Sequence, residues 1–497
     1  MLLLELDEKI HKPQYQQILE QIREKIEQRL LLPGEKLPST RRLANSLGIH
    51  RSTVANAYQE LWALGFVDIR PGSCPRVRER MQIATADNRT EKGLIDWNHT
   101  ASAASTAIWQ TNCNFQSPMG QQENLHMINF SSMDMDCRLF PLETFRSCLN
   151  RAIKAQGISI LGYGDRAGFF PLREYIAHHL QSHGISVTSD EILITNGLQQ
   201  GIDLVFRMLA APGKSVAIES PTYKEIIPLL KFCGLKPIEI PIRADGMDLA
   251  ILADKLDKEH PSLVYTMPNF QNPTGVSTSQ SHRERLLSLC KTHGIPILED
   301  GFEEEMKYFG RVILPIKSMD KQHLVIYCGT FSKVLFPGIR IGWVAAEKEC
   351  IERLMAIRSF SDLSSSMILQ AGVYEFCQHG YYDRHVNKMH RFFRKRMQTV
   401  LTALRHHILP EWAEWKEPSG GYLIWLKLKF PVLSEDKLDK LFTSHGIQVE
   451  FGDQFFSSET KDTYLRLSIS KLNEAEIIEG IQRLGQTLEK LYAETQS

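Results

Sequence analysis

From about residue 126 onward, short β-rich runs alternate with stretches of helical periodicity, and this alternation constrains the fold more than any other feature. The β-rich runs are Ile192–Thr195, Ser215–Glu219, Leu263–Thr266, Ile295–Glu299, Leu324–Cys328 and Ile341–Ala345. Strands separated by helices are typical of βαβ units, whose strands lie mostly parallel in one sheet covered by helices. The pattern therefore predicts an α/β domain over residues 126–497.

The first 80 residues are organised differently. Apolar residues recur at helical spacing over residues 13–30, a second helix can be capped by Ser39, and a third covers about Arg51–Ala63. Two short β-rich runs, 66–70 and 76–77, flank a turn at Pro71–Gly72. The order helix, helix–turn–helix, β-hairpin predicts a small α+β domain over residues 1–80.

The segment between these domains, residues 81–125, is rich in Thr, Ser, Asn, Gln and Ala and has few periodic apolar positions. We interpret it as a long linker. No apolar run approaches the ~20 residues of a membrane helix, and the start lacks the basic region of a secretion signal. The nine cysteines are scattered without a CxxC pair. We therefore expect a multi-domain cytoplasmic protein with neither a disulfide framework nor a metal site.

Charge is distributed unevenly, although the whole chain is neutral. Residues 36–80 carry eight basic and three acidic side chains, a net charge of +5. This local field favours a surface for a polyanion; the alternative is a solvated charged face. In a helix–turn–helix, the start of the second helix faces the major groove and helix N-termini favour phosphate. The candidate DNA contacts are Ser39, Arg41, Arg42, Arg51, Ser52, Thr53 and Gly72.

A second basic segment, residues 381–407, is interpreted as a long helix with a solvated charged face rather than as another nucleic-acid site. Its basic residues are Arg384, Lys388, Arg391, Arg394, Lys395, Arg396 and Arg405.

The string YQQILEQIREKI, followed by LPSTRRLANSLGIHRSTVANAYQELWALGFV and RPGS, resembles the GntR family of winged-helix transcription regulators over about residues 12–77. The resemblance implies that the partner is an operator in double-stranded DNA. Three features depart from the family pattern. His50 stands where a capping Ser is common, Ala55 stands where many members carry an Arg, and the wing lacks the usual GSGTFV.

In the larger domain, Lys333 follows the strand LVIYC and the turn Gly329-Thr330. Ligands bind at the carboxyl ends of strands in open α/β sheets, and a desolvated lysine there can form a Schiff base with an aldehyde. Asp300 ends another strand and can hold a pyridine nitrogen protonated. Asn272 follows the strand LVYTM at this edge. Candidates for binding an anion here are Gly197, Leu198, Gln199, Thr330, Ser332 and Arg340.

Six motifs resemble the fold-type-I aminotransferases over about residues 126–490: GYGD, TNGLQQ, SPTY, NPTG, GTFSK and R-x-G-W. The resemblance implies pyridoxal 5′-phosphate as cofactor, with Lys333 as the internal aldimine and Asp300 as the pyridinium partner. Asn272 would contact the cofactor's 3′-oxygen, and Tyr223 would stack on its ring. The phosphate would be bound by Thr330, Ser332, Arg340 and the loop Gly197–Gln199, and Tyr163 would reach the phosphate of a neighbouring subunit. Arg466 and Asn272 would bind the effector.

One departure concerns Phe302, which stands where the aminotransferases usually have a Tyr that bonds the cofactor's 3′-oxygen. A hydrogen bond to a charged group contributes ~1.5–3 kcal/mol. Its loss retunes the cofactor and disfavours efficient turnover, although a residual transaminase half-reaction remains open.

A GntR-type domain joined to an aminotransferase-like domain resembles the MocR subfamily of bacterial regulators. The resemblance implies a homodimer in which the large domain senses a small molecule and the winged helices respond on DNA. The effector is either an amino compound that reacts at Lys333 or pyridoxal 5′-phosphate itself. The alternative is an active aminotransferase with a DNA-binding appendage.

Overall fold

The computed structural model describes residues 3–7, 12–70, 72–79, 94–106, 108–109, 127–211, 213–430 and 435–496. The chain divides into two compact units, Met1–Thr100 and Ala101–Ser497. Most of the linker interpreted over 81–125 lies outside the described residues, as do Pro71 and Arg80. Within the described part of the chain, no helix has the length and apolar character needed to cross a membrane.

The first unit contains the three helices and the hairpin that the sequence predicts, and also a short helix within the segment interpreted as a linker. Its elements are α1 (Gln14–Glu27), α2 (Thr40–Leu47), α3 (Arg51–Ala63), β1 (Val67–Asp68), β2 (Arg76–Val77) and the short α4 (Trp97–Thr100). Helix α1 ends before the predicted residue 30 because Arg29 adopts a left-handed φ of 60°. The N–H groups of Leu30 and Leu31 both donate to the carbonyl of Lys25 there.

Among the described residues, the core of this unit consists of residues 4–77. Ile18 and Ile22 of α1 pack against Val54 and Leu61 of α3, and all four are fully buried. Tyr58 belongs to the same core, and its hydroxyl donates to the carbonyl of Pro38 at 2.9 Å. A buried apolar stripe of this kind supplies most of the stability of short helices.

The second unit is built around an eight-stranded sheet with the strand order β4-β11-β10-β9-β8-β5-β6-β7. These strands are β4 (Ile192–Thr195), β5 (Ser215–Ser220), β6 (Lys236–Arg243), β7 (Gly246–Met247), β8 (Val264–Thr266), β9 (Ile297–Asp300), β10 (Val325–Thr330) and β11 (Gly342–Ala345). Strands β5, β6, β8, β9 and β10 pair in parallel, whereas β11 is antiparallel to both of its neighbours. The predicted mostly parallel sheet is confirmed.

Two strands of the sheet, β6 and the two-residue β7, were absent from the expected set, and β6 is the longer. Its sequence KPIEIPIR contains Pro237 and Pro241, and only Ile238 and Ile240 are buried. Proline cannot donate to a strand ladder and is confined to positions near sheet edges. Tertiary pairing with β5 therefore overrides a weak local signal.

The helices cover the sheet and a smaller antiparallel sheet follows near the end of the chain. The helices are α5 (Leu142–Gln156), α6 (Phe170–Ser182), α7 (Leu198–Leu209), α8 (Ile226–Phe232), α9 (Leu249–Glu259), α10 (Gln280–His293), α11 (Lys348–Arg358), α12 (Met367–Gln378), α13 (Tyr381–His407), α14 (Glu435–Ser444) and α15 (Glu474–Gln496). The remaining strands are β3 (Ile128–Asn129), β12 (Ala413–Trp415), β13 (Leu423–Leu428), β14 (Ile447–Gln448), β15 (Glu450–Phe451) and β16 (Tyr464–Ser468).

Residues 128–138 of this unit pair with residues 447–476, far along the chain. Strand β3 lies parallel to β14, and the Asp136 N–H donates to the carbonyl of Ser470 at 3.0 Å. Arg138 forms an ion pair with Glu476 at 3.0 Å. The two ends of the domain sequence are therefore joined in one structure.

Helix α13 confirms the predicted long basic helix, with one correction. Six of its seven basic residues are exposed, but Arg396 is buried and forms an ion pair of 2.5 Å with the buried Asp136. Arg396 lies on the core-facing stripe of the helix, where a charge is tolerated only with a partner. The expectation that this residue belongs to a solvated face is wrong.

Candidate cofactor pocket and nucleic-acid interface

A cavity of about 520 Å³ lies at the carboxyl ends of β8, β9 and β10. Ten of the predicted site residues line it: Lys333, Asp300, Asn272, Tyr223, Leu198, Gln199, Thr330, Ser332, Arg340 and Arg466. Gly197 caps the helix that carries Leu198 and Gln199. Tyr163 does not line this cavity, and its side chain is 84% exposed.

The register of two parallel strands brings the acid and the lysine to one edge of the sheet. Asp300, the last residue of β9, is paired with Cys328 of β10. Strand β10 continues to Thr330, and the chain reaches Lys333 three residues later. The carboxyl ends of parallel strands are the ligand-binding edge of open α/β sheets.

The Lys333 side-chain amine lies in a largely desolvated environment. Its Nζ donates to the carbonyl of Met133 at 3.0 Å. Burial lowers the pKa of Lys333, Arg466 and Arg340 add to this effect, and Glu303 opposes it. A lysine with a lowered pKa spends more time as the neutral amine, which is the nucleophilic form.

Asp300 is buried without a cationic partner among the described residues. Its carboxylate accepts from the Tyr265 hydroxyl at 2.7 Å and from the Phe302 N–H at 3.1 Å. Burial nevertheless raises the pKa of Asp300 to about 7. A positive group placed against this carboxylate would favour its ionised form, so the site fits a protonated ring nitrogen.

The other end of the cavity offers groups suited to a phosphate. Gly197 adopts a φ of 83° at the N-terminus of α7, and a Cβ there would lie 2.5 Å from Nη2 of Arg340. That nitrogen donates to the carbonyl of Asn196 at 2.9 Å. The buried Ser332 Oγ has no hydrogen-bond partner in the described part of the chain. Free helix N–H groups, a hydroxyl and a guanidinium together fit a phosphate dianion.

Arg466 is fully buried, and its guanidinium already has partners. Nη2 donates to the carbonyl of Ser131 at 2.6 Å and lies 3.2 Å from Oε2 of Glu450, while Nη1 lies 3.5 Å from Oδ1 of Asn272. Arg466 Nε has no partner among the described residues. The Glu450 carboxylate thus occupies part of the Arg466 guanidinium, which by resemblance to the family is expected to bind a ligand carboxylate.

Three charged residues were missed by sequence reasoning: Lys224 and Glu450 line the cavity, and Glu303 acts on Lys333 from beside it. Glu450 lies between Arg466 and Lys224, whose Nζ is 2.9 Å from Glu450 Oε1. Glu303 is 1% exposed, and both of its carboxylate oxygens lack a partner in the described structure. Two weak signals in the sequence could have indicated that Glu450 and Lys224 line the cavity. Glu450 interrupts an apolar strand, and Lys224 directly follows Tyr223. Glu303 belongs to a run of three glutamates that is typical of a solvated loop.

In the first unit, the predicted DNA contacts lie on the surface. Arg41, Arg42, Arg51, Ser52 and Gly72 are exposed, whereas Ser39 and Thr53 are half-buried. The other described basic residues of segment 36–80 are also exposed, and these are Lys36, Arg70, Arg76 and Arg78. The positive charge therefore faces solvent, as a polyanion-binding surface requires.

The two helices of the helix–turn–helix are linked by side chains at their starts. Ser39 caps α2, and its hydroxyl accepts from the Arg42 N–H at 3.3 Å. Arg51 Nε donates to the Thr40 hydroxyl at 3.2 Å. This bond connects the N-terminal turns of α2 and α3 and orients the Arg51 side chain.

The departure at position 50 preserves the helix cap. His50 precedes α3, and its Nδ1 accepts from the Ser52 N–H at 3.4 Å and lies 2.6 Å from the Ser52 hydroxyl. An acceptor at this position satisfies one of the free N–H groups of the helix start. Ser52 is consequently engaged by its own helix cap in this structure.

Comparisons with known proteins find a matching family for each of the two domains. Residues 126–484 match the family described as "Aminotransferase class I and II", and residues 14–77 match "Bacterial regulatory proteins, gntR family". The chain is 31% identical over 480 residues to "Uncharacterized HTH-type transcriptional regulator YdfD" of Bacillus subtilis, covering 96% of this chain and 97% of that protein.

A second relative and a solved structure extend the comparison. "Probable rhizopine catabolism regulatory protein MocR" of Rhizobium meliloti is 27% identical, with 88% of this chain and 85% of that protein covered. The crystal structure of LysN, an alpha-aminoadipate aminotransferase of Thermus thermophilus complexed with N-(5′-phosphopyridoxyl)-L-leucine, is 28% identical. It superposes with a TM-score of 0.74 over 80% of this chain and 100% of that one.

The match over residues 126–484 places the larger unit in a family of pyridoxal 5′-phosphate-dependent proteins. The match over residues 14–77 identifies a DNA-binding domain, and the similarity to YdfD covers both. The chain therefore belongs to the MocR subfamily of GntR-type transcription regulators, in which a winged helix is joined to a class I and II aminotransferase domain.

Proposed function

We propose that this regulator senses a small primary amine that carries a carboxylate, through exchange at Lys333, and responds with altered DNA binding. The observation that carries the proposal is the single cavity that unites Lys333, Asp300 and the buried Arg466. Pyridoxal 5′-phosphate, when bound, supplies an electrophilic aldehyde that reacts reversibly with primary amines. The residues of this cavity have the chemistry to hold it and to admit a second amine.

We assign the residues as follows. Lys333 offers its amine, which burial keeps easier to deprotonate. Asp300 holds the proton of the ring nitrogen, and Asn272 bonds the 3′-oxygen. Tyr223 stacks on the ring, and the phosphate is held by Thr330, Ser332, Arg340 and the N–H groups that follow Gly197.

Arg466 and Asn272 are proposed to bind the effector carboxylate. Arg466 Nη2 lies 3.2 Å from Glu450 and Nη1 lies 3.5 Å from Asn272, so an incoming carboxylate that takes Nη2 replaces Glu450 there. Lys224 lies 2.9 Å from Glu450 and can keep the released carboxylate paired. The exchange of one carboxylate for another preserves charge balance in a buried site.

Pyridoxal 5′-phosphate itself is the second candidate effector. The orphaned Ser332 hydroxyl and the uncompensated Asp300 favour it, because both gain a partner when the cofactor binds. Turnover as an aminotransferase is the third candidate, supported by the ten expected residues that line the cavity. Phe302 lines the cavity without a hydroxyl to offer the 3′-oxygen, which weighs against efficient turnover.

We further propose that the protein is a homodimer. Large apolar side chains are exposed on α5 and in the segment after it, including Leu142 at 70%, Ile158 at 86% and Leu161 at 66%. A group of exposed apolar side chains of this size marks an interaction surface. Tyr163 lies in the same segment, from which it would reach the cavity of a second copy. A symmetric dimer also suits the two half-sites of an operator.

The test is to titrate full-length protein with pyridoxal 5′-phosphate and then with amino acids or amines, recording the cofactor spectrum and operator affinity together. We expect an effector that changes the spectrum to change operator affinity, and the operator to change effector affinity by the same factor. An amine that reacts fully at Lys333 but leaves operator affinity unchanged would contradict amine sensing. A change caused by the cofactor alone would select the second candidate.

A further inference from the structure

A cluster of three side chains outside the cofactor cavity has the composition of a metal site. His179 lies on α6, and His183 is the residue that ends this helix, one turn further on. Glu305 comes from the loop after β9. Residues four apart on a helix share a face, so both imidazoles point toward the same carboxylate.

Both histidine nitrogens lie close to the same carboxylate oxygen. Nε2 of His179 lies 2.9 Å and Nε2 of His183 lies 3.2 Å from the same oxygen, Oε1 of Glu305. All three ligand atoms lie within 4.8 Å of one another. Tetrahedral Zn²⁺ with bonds of about 2.0–2.1 Å separates its ligand atoms by roughly 3.3 Å. The two nitrogen–oxygen distances of 2.9 and 3.2 Å therefore have to widen by only a few tenths of an ångström to admit an ion.

The surroundings hold the cluster in place and leave it accessible. The side chains of His179, His183 and Glu305 are 15%, 17% and 20% exposed. The His179 ring stacks on Tyr175 and meets the edge of Tyr382. Partial exposure provides an entry path for an ion, and the ring contacts limit the freedom of the imidazole.

A small cavity beside the cluster provides room for a fourth ligand. It has a volume of about 20 Å³ and is lined by the three residues together with Glu304 and Trp343. This volume suffices for one water molecule. Trp343 is 5% exposed, and its indole N–H has no hydrogen-bond partner among the described residues. An acceptor in the cavity, such as a metal-bound water, would satisfy this donor.

We propose that His179, His183 and Glu305 form a Zn²⁺ site, with water from the adjoining cavity as the fourth ligand. Two imidazoles and one carboxylate with one open position are a ligand set that suits zinc. The imidazoles would bind through Nε2, the atoms that already face Glu305. Glu304 adds a second carboxylate to the cavity wall and balances the charge of the ion.

The site adjoins the cofactor cavity through two shared residues. Phe302 and Thr330 line both cavities. An ion that fixes Glu305 also fixes the loop that carries Phe302 against the cofactor cavity. Zn²⁺ would thus influence the cofactor site without entering it.

The experiment uses full-length protein without a polyhistidine tag, stripped with a chelator and titrated with Zn²⁺ by calorimetry. We expect one saturable high-affinity equivalent per chain, and a Co²⁺ derivative with the visible absorption of a tetrahedral ion. His183→Gln and Glu305→Gln should each weaken binding roughly 10- to 100-fold or more. Circular dichroism checks that both variants are folded.

The matched control is His178→Gln, because His178 lies on the same helix beside His179 but is exposed and outside the cluster. This variant should bind Zn²⁺ as the parent protein does. Binding that is absent from the parent protein, or that survives both cluster substitutions, would overturn the proposal. Equal losses in His178→Gln would do the same, since they would place the ion elsewhere.

Discussion

The two ligand-binding regions of this chain place their functional side chains in opposite environments. Arg41, Arg42 and Arg51 of the winged helix are exposed to solvent. Asp300 and Arg466 of the cofactor cavity are each 2% exposed. Exposed cations act on a polyanion through a field that salt screens, whereas buried charges depend on individual partners. Substitutions should therefore have graded effects in the first region and large effects in the second.

The largest expected effect is that of Lys333→Ala. The variant should lose covalent attachment of pyridoxal 5′-phosphate, because no other described lysine lines the cavity except Lys224, which is paired with Glu450. Borohydride reduction followed by peptide mass spectrometry measures the attachment. Lys348→Ala, an exposed lysine of the same unit, serves as the control. A label that persists on another peptide in Lys333→Ala would contradict the assignment.

The second prediction concerns pH and the stability of the cofactor-free protein. Burial raises the pKa of Asp300 to about 7 in the folded state, above its ordinary value near 3.8. The folded state then binds the proton more tightly, so this group stabilises the fold at pH 4 and loses that contribution as pH rises to about 7. The loss is roughly 2–4 kcal/mol.

Asp300→Asn removes this titration. Thermal unfolding of the cofactor-free variant should show a smaller fall in Tm between pH 5 and pH 8 than the parent protein shows. Identical pH profiles would mean that Asp300 is already ionised and compensated in the folded state.

The third prediction applies to the exposed region. Arg51→Ala should weaken binding at the operator by ~1–3 kcal/mol and reduce discrimination between bases. Arg41→Ala or Arg42→Ala should weaken binding to all sequences more evenly. The number of counterions released on binding, measured from the salt dependence of the affinity, should fall by about one. Fluorescence anisotropy at several salt concentrations separates these effects. Arg23→Ala on α1 is the control, and a loss as large as that of Arg51→Ala would refute the assigned surface.

The fourth prediction sharpens the contrast by removing a buried partner. Glu450→Gln leaves Arg466 with a weaker internal acceptor, so an effector carboxylate should bind roughly tenfold more tightly, equivalent to ~1.4 kcal/mol. The same variant should be less stable without effector, because a buried guanidinium has lost its counter-charge. Spectral titration and thermal unfolding measure the two quantities. Weaker effector binding would show that Glu450 itself contacts the ligand.

The smallest effect is expected for Phe302→Tyr. The added hydroxyl would supply a donor to the cofactor's 3′-oxygen and favour its ionised form. The spectral titration of the bound cofactor should move to lower pH by roughly one unit. An unchanged titration would indicate that the new hydroxyl does not reach this oxygen.

Local sequence patterns predicted much of this structure. Helix α3 begins and ends at the predicted residues, and β4 has its predicted bounds. The motifs at 329–333 and 195–200 predicted residues that the sheet register then brings to one cavity. These features follow from periodicity and from chain segments a few residues long, which sequence displays directly.

The errors and omissions have a common physical origin. Arg396 was expected on a solvated face, but its partner Asp136 lies 260 residues away in the chain. Glu450 and Glu303 were missed because their burial is set by segments distant in sequence. Periodicity reports which face of an element is apolar and does not report which charge a distant segment will place against it. Long-range charge pairing therefore required the structure.

The pairing of β3 with β14 and of Arg138 with Glu476 has a consequence for synthesis on the ribosome. The larger unit cannot complete its structure until residues near its end have emerged, whereas the winged helix closes its core with residues that all precede Arg78. Chains fold from the N-terminus during translation at about 5–20 residues per second. The nascent chain thus acquires a folded DNA-binding domain roughly 20–80 seconds before its regulatory domain is complete.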